Sequence, residues 1–180
     1  PAQIIVEETT PSPSGVKTTK LYSQRSTRPA PSPPSPECCK DGTIDHRWRI
    51  EHAQVLSPMD LRRLAALNVI ASMQPTHATS DMRWAEARLG PVRVRGAYAW
   101  RTMRTAAAPL AFGSDSPVTD MNPWATMRAA TRHHTPGSAV SARAAFAATT
   151  RGAWRAGGVR DGVTGTLVPG APASYAIWEA

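Results

Sequence analysis

Proline placement sets the first limit on what this chain can fold into. Residues 1–45 hold eight of the 17 prolines and no Trp or Phe, and they include the run Arg28-Pro29-Ala30-Pro31-Ser32-Pro33-Pro34-Ser35-Pro36. Such a segment buries too little apolar surface to offset the entropy of ordering it, and each proline removes a backbone donor from any sheet. The expectation is a disordered Pro/Ser-rich segment over 1–45, with a folded part confined to residues 46–180.

From residue 46 the pattern changes to alternating strand and helix signals. Arg47 to His52 reads as a short strand, and Ser57-Pro58-Met59-Asp60 opens a helix that Asn68 can close. Val69 to Pro75 is a second strand, apolar enough to be buried on both faces, and Thr76 to Asp81 reads as a polar loop. Helices are expected over Met82–Leu89 and about Val94–Ala107, then a third strand over Pro109–Phe112. Asn122-Pro123 and Ser141-Ala142 open two more helices, the second reaching Arg155 and breaking at Gly157-Gly158. A turn near Val168-Pro169-Gly170 and a terminal strand over Ser174–Trp178 finish the chain. This rhythm predicts an α/β fold with right-handed βα crossovers and a parallel sheet whose edges stay open unless more strands join.

Charge narrows the function classes. The net charge of +8 lies in residues 46–180, which carry 16 Arg against eight Asp or Glu. Those arginines are scattered through Ala-rich segments, unlike the face or stripe of a nucleic-acid surface, so no nucleic-acid partner is expected. Cys38 and Cys39 are adjacent and offer neither a C-x-x-C motif nor a disulfide framework. No run of 18 apolar residues and no signal-peptide pattern occurs, so no membrane partner and a cytoplasmic location are expected.

The strand ends carry the chemistry. They offer His52, then Gln74 or His77, then Asp115, and side chains at the carboxyl ends of strands converge on the active site of a β/α barrel. Imidazole nitrogen and carboxylate oxygen suit a borderline divalent ion such as zinc, and Asp115 could also take a proton from an ion-bound water. Each residue also has a plainer reading: His52 as a hydrogen-bonded cap, Asp115 as a turn former, His77 as an exposed loop residue. The adjacent His133-His134 adjoins Thr135-Pro136-Gly137, a solvent-facing turn, and neighbouring residues do not face one another on a helix, so the pair is left out of the site.

Four phrases, in order, carry a resemblance: Arg49-Ile50-Glu51-His52-Ala53-Gln54, Ile70-Ala71-Ser72-Met73-Gln74-Pro75-Thr76-His77-Ala78, Asp81-Met82-Arg83-Trp84-Ala85 and Ala111-Phe112-Gly113-Ser114-Asp115-Ser116-Pro117. From about His46 to Trp178 the chain resembles the C-terminal part of the amidohydrolase superfamily, in the YtcJ-like branch that includes N-substituted formamide deformylases. The resemblance implies that the three strands are strands six to eight of a TIM-type β/α barrel over 46–160, with 161–180 returning to a small β-sandwich. It implies His52 and Asp115 as metal ligands, Asp115 and His77 as catalytic residues, and His77, Arg83 and Trp84 as substrate contacts. The activity implied is water-mediated cleavage of a non-peptide C–N bond, in an amide or formamide, by a metal-activated water.

The family's other ligands have no match upstream: the His-x-His of strand one, the mid-barrel Lys or Glu, and the histidine of strand five. The Pro-rich tract stands where strand five belongs, so truncation or a shifted reading frame upstream of about residue 44 is expected. Little activity is then expected of this polypeptide alone. A complementing upstream barrel segment or a homo-oligomer is the partner such a chain calls for; a non-catalytic remnant or partner-dependent structural fragment is the alternative, and a basic nucleic-acid-binding module ranks third.

Overall fold

The computed structural model describes residues 3–10, 18–25, 47–135, 137–159 and 161–177. The chain divides into two compact units, one spanning Asp45–Ala171 and the other Pro1–Ile44 with Pro172–Ala180. In the latter, strands β1 (Gln3–Thr10) and β2 (Thr18–Arg25) pair antiparallel, Gln3 opposite Arg25 and Thr10 opposite Thr18. The proline argument expects no order there. Both strands are free of proline, and β1 is rich in β-branched residues, which favour the extended backbone. The run Arg28–Pro36 and the two cysteines lie outside the described residues.

The larger unit is built on a three-stranded parallel sheet in the order β3 (Arg49–Glu51), β4 (Ile70–Met73), β5 (Leu110–Phe112). This is part of a β/α barrel pattern. Between β3 and β4 runs α1 (Pro58–Ala66), where the Ser57 side chain accepts from the Asp60 amide and Pro58 occupies the first turn. The central strand β4 is buried, whereas every residue of β3 is exposed, as befits an edge.

Helix α2 (Pro75–Arg93) departs from the expected polar loop at 76–81. Pro75 presets the first-turn dihedral, so the helix starts directly off β4, and Thr76 to Asp81 form its opening turns. It kinks at Gly90, whose φ of 77° ends regular winding. The long helix expected over 94–107 is also interrupted: a 3₁₀ turn (Val94–Gly96) gives way to an isolated bridge between Ala97 and Val55, and only α3 (Trp100–Thr105) is α-helical. The cause is a close backbone approach. A Cβ at Gly96 would sit 2.1 Å from the Leu56 carbonyl oxygen, and the Leu56 amide donates to the Gly96 carbonyl at 3.2 Å.

Beyond β5 come α4 (Pro123–Thr131), capped by Asn122, then α5 (Ala142–Ala147), a π turn at Ala148–Gly152 and α6 (Ala153–Ala156). A Cβ at Gly152 would meet the Leu110 carbonyl oxygen at 2.2 Å, so this helix packs directly on β5 through its glycine. The terminal strand expected from 174 is absent over 172–177, and Asp45–Ala171 holds no second sheet among its described residues. Pro169 and Pro172 withhold amide donors there. No helix among the described residues is long and apolar enough to cross a membrane.

The core centres on Trp100, fully buried, with Met73, Met103 and Phe112. Its indole N–H donates to the Ala130 carbonyl at 3.2 Å, and its ring meets Phe112 edge-on at 6.0 Å. At the amino-terminal end of the sheet a cavity of about 510 Å³ is lined by Arg47, Arg104, Arg151 and Arg155 among others, so part of the charge that reads as scattered in sequence is gathered in space.

Candidate metal centre

Three strand-to-helix junctions build the site at the carboxyl end of the sheet. After Glu51 the chain turns sharply out of β3, with His52 at φ 66° and Ala53 at φ 45°, and the Ala53 amide donates back to the Glu51 carbonyl at 2.8 Å. Left-handed backbone costs a non-glycine residue roughly 1–2 kcal/mol, so neighbouring structure must hold this turn. The β5 ladder continues one residue, Gly113 donating to the Met73 carbonyl at 3.0 Å, and Asp115 then also takes left-handed backbone at φ 58°. His77 sits in the first turn of α2, its amide donating to the Gln74 carbonyl at 3.0 Å.

These junctions bring His52, His77 and Asp115 together, with one ligand atom from each lying within 4.8 Å of the others. His52 Nε2 stands 3.9 Å from Asp115 Oδ2, and the His52 and His77 rings stack at 5.7 Å and 19°. His77 is 8% exposed, and its Nε2 is buried with no hydrogen-bond partner. Such a nitrogen costs about 1–3 kcal/mol unless something meets it. The donor chemistry fits a divalent ion. The spacing is loose: donors about 2.0–2.2 Å from a tetrahedral ion stand roughly 3.4 Å apart, so the cluster must contract by up to about 1.4 Å to close on one.

Arg83 and Trp84 are on α2 and exposed, and neither makes a described contact to the three donors; Trp84 instead carries the Arg88 guanidinium 5.8 Å from its ring centroid. Gln74, the other strand-end residue, is buried with its Oε1 unpartnered.

Sequence reading missed a polar network beside the cluster. Asp81 Oδ2 accepts from the Tyr98 hydroxyl and from Gln54 Nε2 at 3.3 Å, and Gln54 Nε2 also donates to the Tyr98 oxygen at 2.7 Å. Burial and the Asp81 carboxylate push the Tyr98 phenol far above its ordinary pKa, so it remains a proton donor. Gln54 and Asp81 lie inside the quoted phrases, but nothing in sequence links either to Tyr98.

His133 adjoins an exposed turn, Thr135 and Gly137 being exposed, but is itself only partly exposed. It packs edge-on against Trp100 at 4.6 Å, its Nδ1 accepts from the Thr135 amide at 2.9 Å, and burial, with His134 beside it, lowers its pKa to about 4.

Parallel βα units that deliver imidazole and carboxylate donors to neighbouring strand ends define a site of the metal-dependent β/α hydrolase class. The chain belongs to the amidohydrolase family, whose match covers residues 39–180. It is similar to the protein LONG AFTER FAR-RED 3 of Arabidopsis thaliana, 36% identical over 146 residues, which cover 76% of this chain and 25% of that one. YtcJ of Bacillus subtilis (strain 168), an amidohydrolase by name, is 36% identical over 84 residues, 47% of this chain and 15% of YtcJ. Among solved structures, an uncharacterized metal-dependent hydrolase from Pyrococcus furiosus superposes with a TM-score of 0.64 at 32% identity, over 70% of this chain and 26% of that one. Its counterpart from Pyrococcus horikoshii OT3 gives 0.63 at 31% identity, over 70% and 27%. The chain thus spans about a quarter of the length of three of these relatives and less of YtcJ.

Proposed function

We propose that this chain carries the strand-six-to-eight portion of an amidohydrolase site, which cleaves the C–N bond of a small amide or N-substituted formamide. The observation that carries the reading is the convergence of His52, His77 and Asp115, together with a His77 Nε2 that is buried and unpartnered. These residues would hold a divalent ion, with zinc favoured by the two imidazoles and one carboxylate. Bound there, the ion supplies a Lewis acid and an acidified water. Asp115, partly exposed, takes the proton from the attacking water and passes it to the leaving nitrogen. His77 serves as a third donor to the ion or, through a ring N–H, as the hydrogen-bond donor that steadies the substrate carbonyl oxygen. Arg83 and Trp84 contact the substrate from the exposed side of α2.

With three protein donors and loose spacing, weak catalysis is the corresponding expectation for the chain alone. The exposed edge strand β3 favours an upstream barrel segment, or a second copy, as the partner that completes the sheet, and 161–180 then return to the family's small β-sandwich. Cytoplasmic location is part of the same reading.

The test is elemental analysis of the purified chain beside His52→Ala/Asp115→Ala, followed by assay of formamide and amide hydrolysis. About one zinc per chain, lost with any hydrolysis in the double variant, is the expected result. A chain that retains no metal, or a variant that keeps it, overturns the reading and leaves a non-catalytic remnant.

A further inference from the structure

We propose that Asp81, Tyr98 and Gln54 are positioning residues that hold the two metal-binding imidazoles in register; this rests on the metal site proposed above. The strained turn is the starting point. His52 and Ala53 are consecutive non-glycine residues in left-handed backbone, and such a turn persists only where surrounding contacts over-determine it.

Those contacts begin immediately after it. The Tyr98 amide donates to the Gln54 carbonyl at 2.7 Å, Val55 bridges Ala97, and the Leu56 amide donates to the Gly96 carbonyl at 3.2 Å. The segment following His52 is thereby fixed to the segment around Tyr98, which is itself buried in the core.

The side chains then connect that assembly to α2. Gln54 lies two residues after His52, and Asp81 lies four residues after His77, one helical turn further along the same face. Because Asp81 accepts from both Gln54 and Tyr98, the turn carrying His52 and the helix carrying His77 are locked through one carboxylate. Ser80 Oγ reinforces that end of the link by donating to the His77 carbonyl at 2.9 Å and to Asp81 Oδ1 at 3.2 Å. On the other side of His77, the Thr76 hydroxyl meets that of Thr119 at 3.3 Å, and Thr119 donates to the Ser114 carbonyl beside Asp115. α2 is thus tied to both loops that carry the other donors.

Groups that orient ligands without touching the ion typically set metal affinity by about 10–100-fold. The clamp makes the same demand here: removing it frees the His52 turn to relax and moves one imidazole relative to the other.

The test titrates zinc into the full 180-residue chain and into its Tyr98→Phe, Asp81→Asn and Asn122→Ala variants, with a chelator competing and thermal melts run in parallel. Asn122→Ala removes the cap of α4, away from the clamp, and calibrates what a simple stability loss does to affinity. Zinc affinity lowered about 10-fold or more in Tyr98→Phe and Asp81→Asn, beyond that of Asn122→Ala at comparable melting loss, is the expected result. Affinity equal to that of the parent overturns the proposal.

If the parent chain binds no zinc, the metal reading fails by itself, and the clamp is judged from the imidazole resonances. Displacement or broadening of the His52 and His77 signals in Tyr98→Phe, absent from Asn122→Ala, supports it. Unchanged His52 and His77 signals overturn it.

Discussion

The two ends of the parallel sheet solve opposite problems. At the amino-terminal end, arginines spend their donors on nearby carbonyls: Arg47 Nη1 on Arg155 at 3.3 Å and Val159 at 3.0 Å, and Arg49 Nη1 on Ala156 at 2.7 Å. Two of those carbonyls end helix α6, where unsatisfied oxygens and the helix dipole both favour cations. Arg155 in turn donates to Asn68 Oδ1 at 3.1 Å. At the carboxyl end His77 Nε2 and Gln74 Oε1 are buried unpartnered, whereas left-handed non-glycine backbone occurs at both ends, at Arg47, Asn68 and Ala107 on one side and at His52, Ala53 and Asp115 on the other. Both ends carry left-handed backbone, but one sets arginine donors against carbonyls and supports the fold, while the other leaves an imidazole nitrogen and an amide oxygen open, the condition expected of a ligand site.

The largest test of this contrast separates metal binding from stability at one residue. His52→Gly removes a donor and relieves a left-handed non-glycine backbone. Zinc affinity is expected to fall by more than about 100-fold, exceeding the loss typical of an outer residue. The metal-free melting temperature should hold or rise. A calorimetric titration and a thermal melt read both, and a large drop in melting temperature would break the contrast by making His52 a structural residue.

The mirror-image test lies at the other end. Arg47→Met keeps the aliphatic stem and removes the charged donors to the Arg155 and Val159 carbonyls. Loss of hydrogen bonds to a charged group is expected to cost about 1.5–3 kcal/mol in denaturant unfolding, with zinc affinity unchanged. An affinity loss comparable to that of His52→Gly would mean that the two ends are not separable.

Sequence exposed the parts of this contrast that depend on local signals. Proline and capping residues marked the starts of α1 and α4, short apolar runs marked β4 and β5, and strand ends marked His52 and Asp115. Pro75 was read as a stop when it was a start, because proline that ends a strand also suits the first turn of a helix. Tyr98 was illegible. Its partners Gln54 and Asp81 lie 44 and 17 residues away in sequence, and the backbone pairing of Gln54–Leu56 with Gly96–Tyr98 that sets Tyr98 beside Gln54 leaves no local signal. The arginine-lined cavity escaped notice for the same reason: its residues come from strand, helix and loop, with no common period.

Acidification provides a third test, directed at the layer packed behind the sheet. Burial first, and then the neighbouring His134, lower the His133 pKa to about 4 from the ordinary 6.5. A histidine depressed in the folded state leaves stability untouched above pH 6.5. As pH falls from 6.5 toward 4 the unfolded chain takes up a proton that the folded chain refuses, so stability declines, and below 4 the loss is complete. Because the ring is partly exposed, the loss is about 1–2 kcal/mol after allowance for solvent screening. Melting temperatures of the parent and His133→Gln, measured from pH 7 to 4.5, should converge as pH falls. Parallel curves would remove His133 from the account.

The smallest expected effect asks whether every residue near the carboxyl end serves the metal. Ser57 lies five residues after His52, and its hydroxyl caps α1 by accepting from the Asp60 amide at 3.1 Å. Ser57→Ala removes that cap and should cost about 0.5–1 kcal/mol of stability. The backbone links from Gln54 and Leu56 to Tyr98 and Gly96 stand between the cap and the donor, so the His52 turn is held independently of α1. Zinc affinity should therefore match the parent when both are measured well below their melting temperatures. A loss of affinity larger than that of Asn122→Ala would move the boundary of the metal-supporting region outward to include α1, and would show that the clamp at Tyr98 does not isolate the His52 turn from its flanking helix.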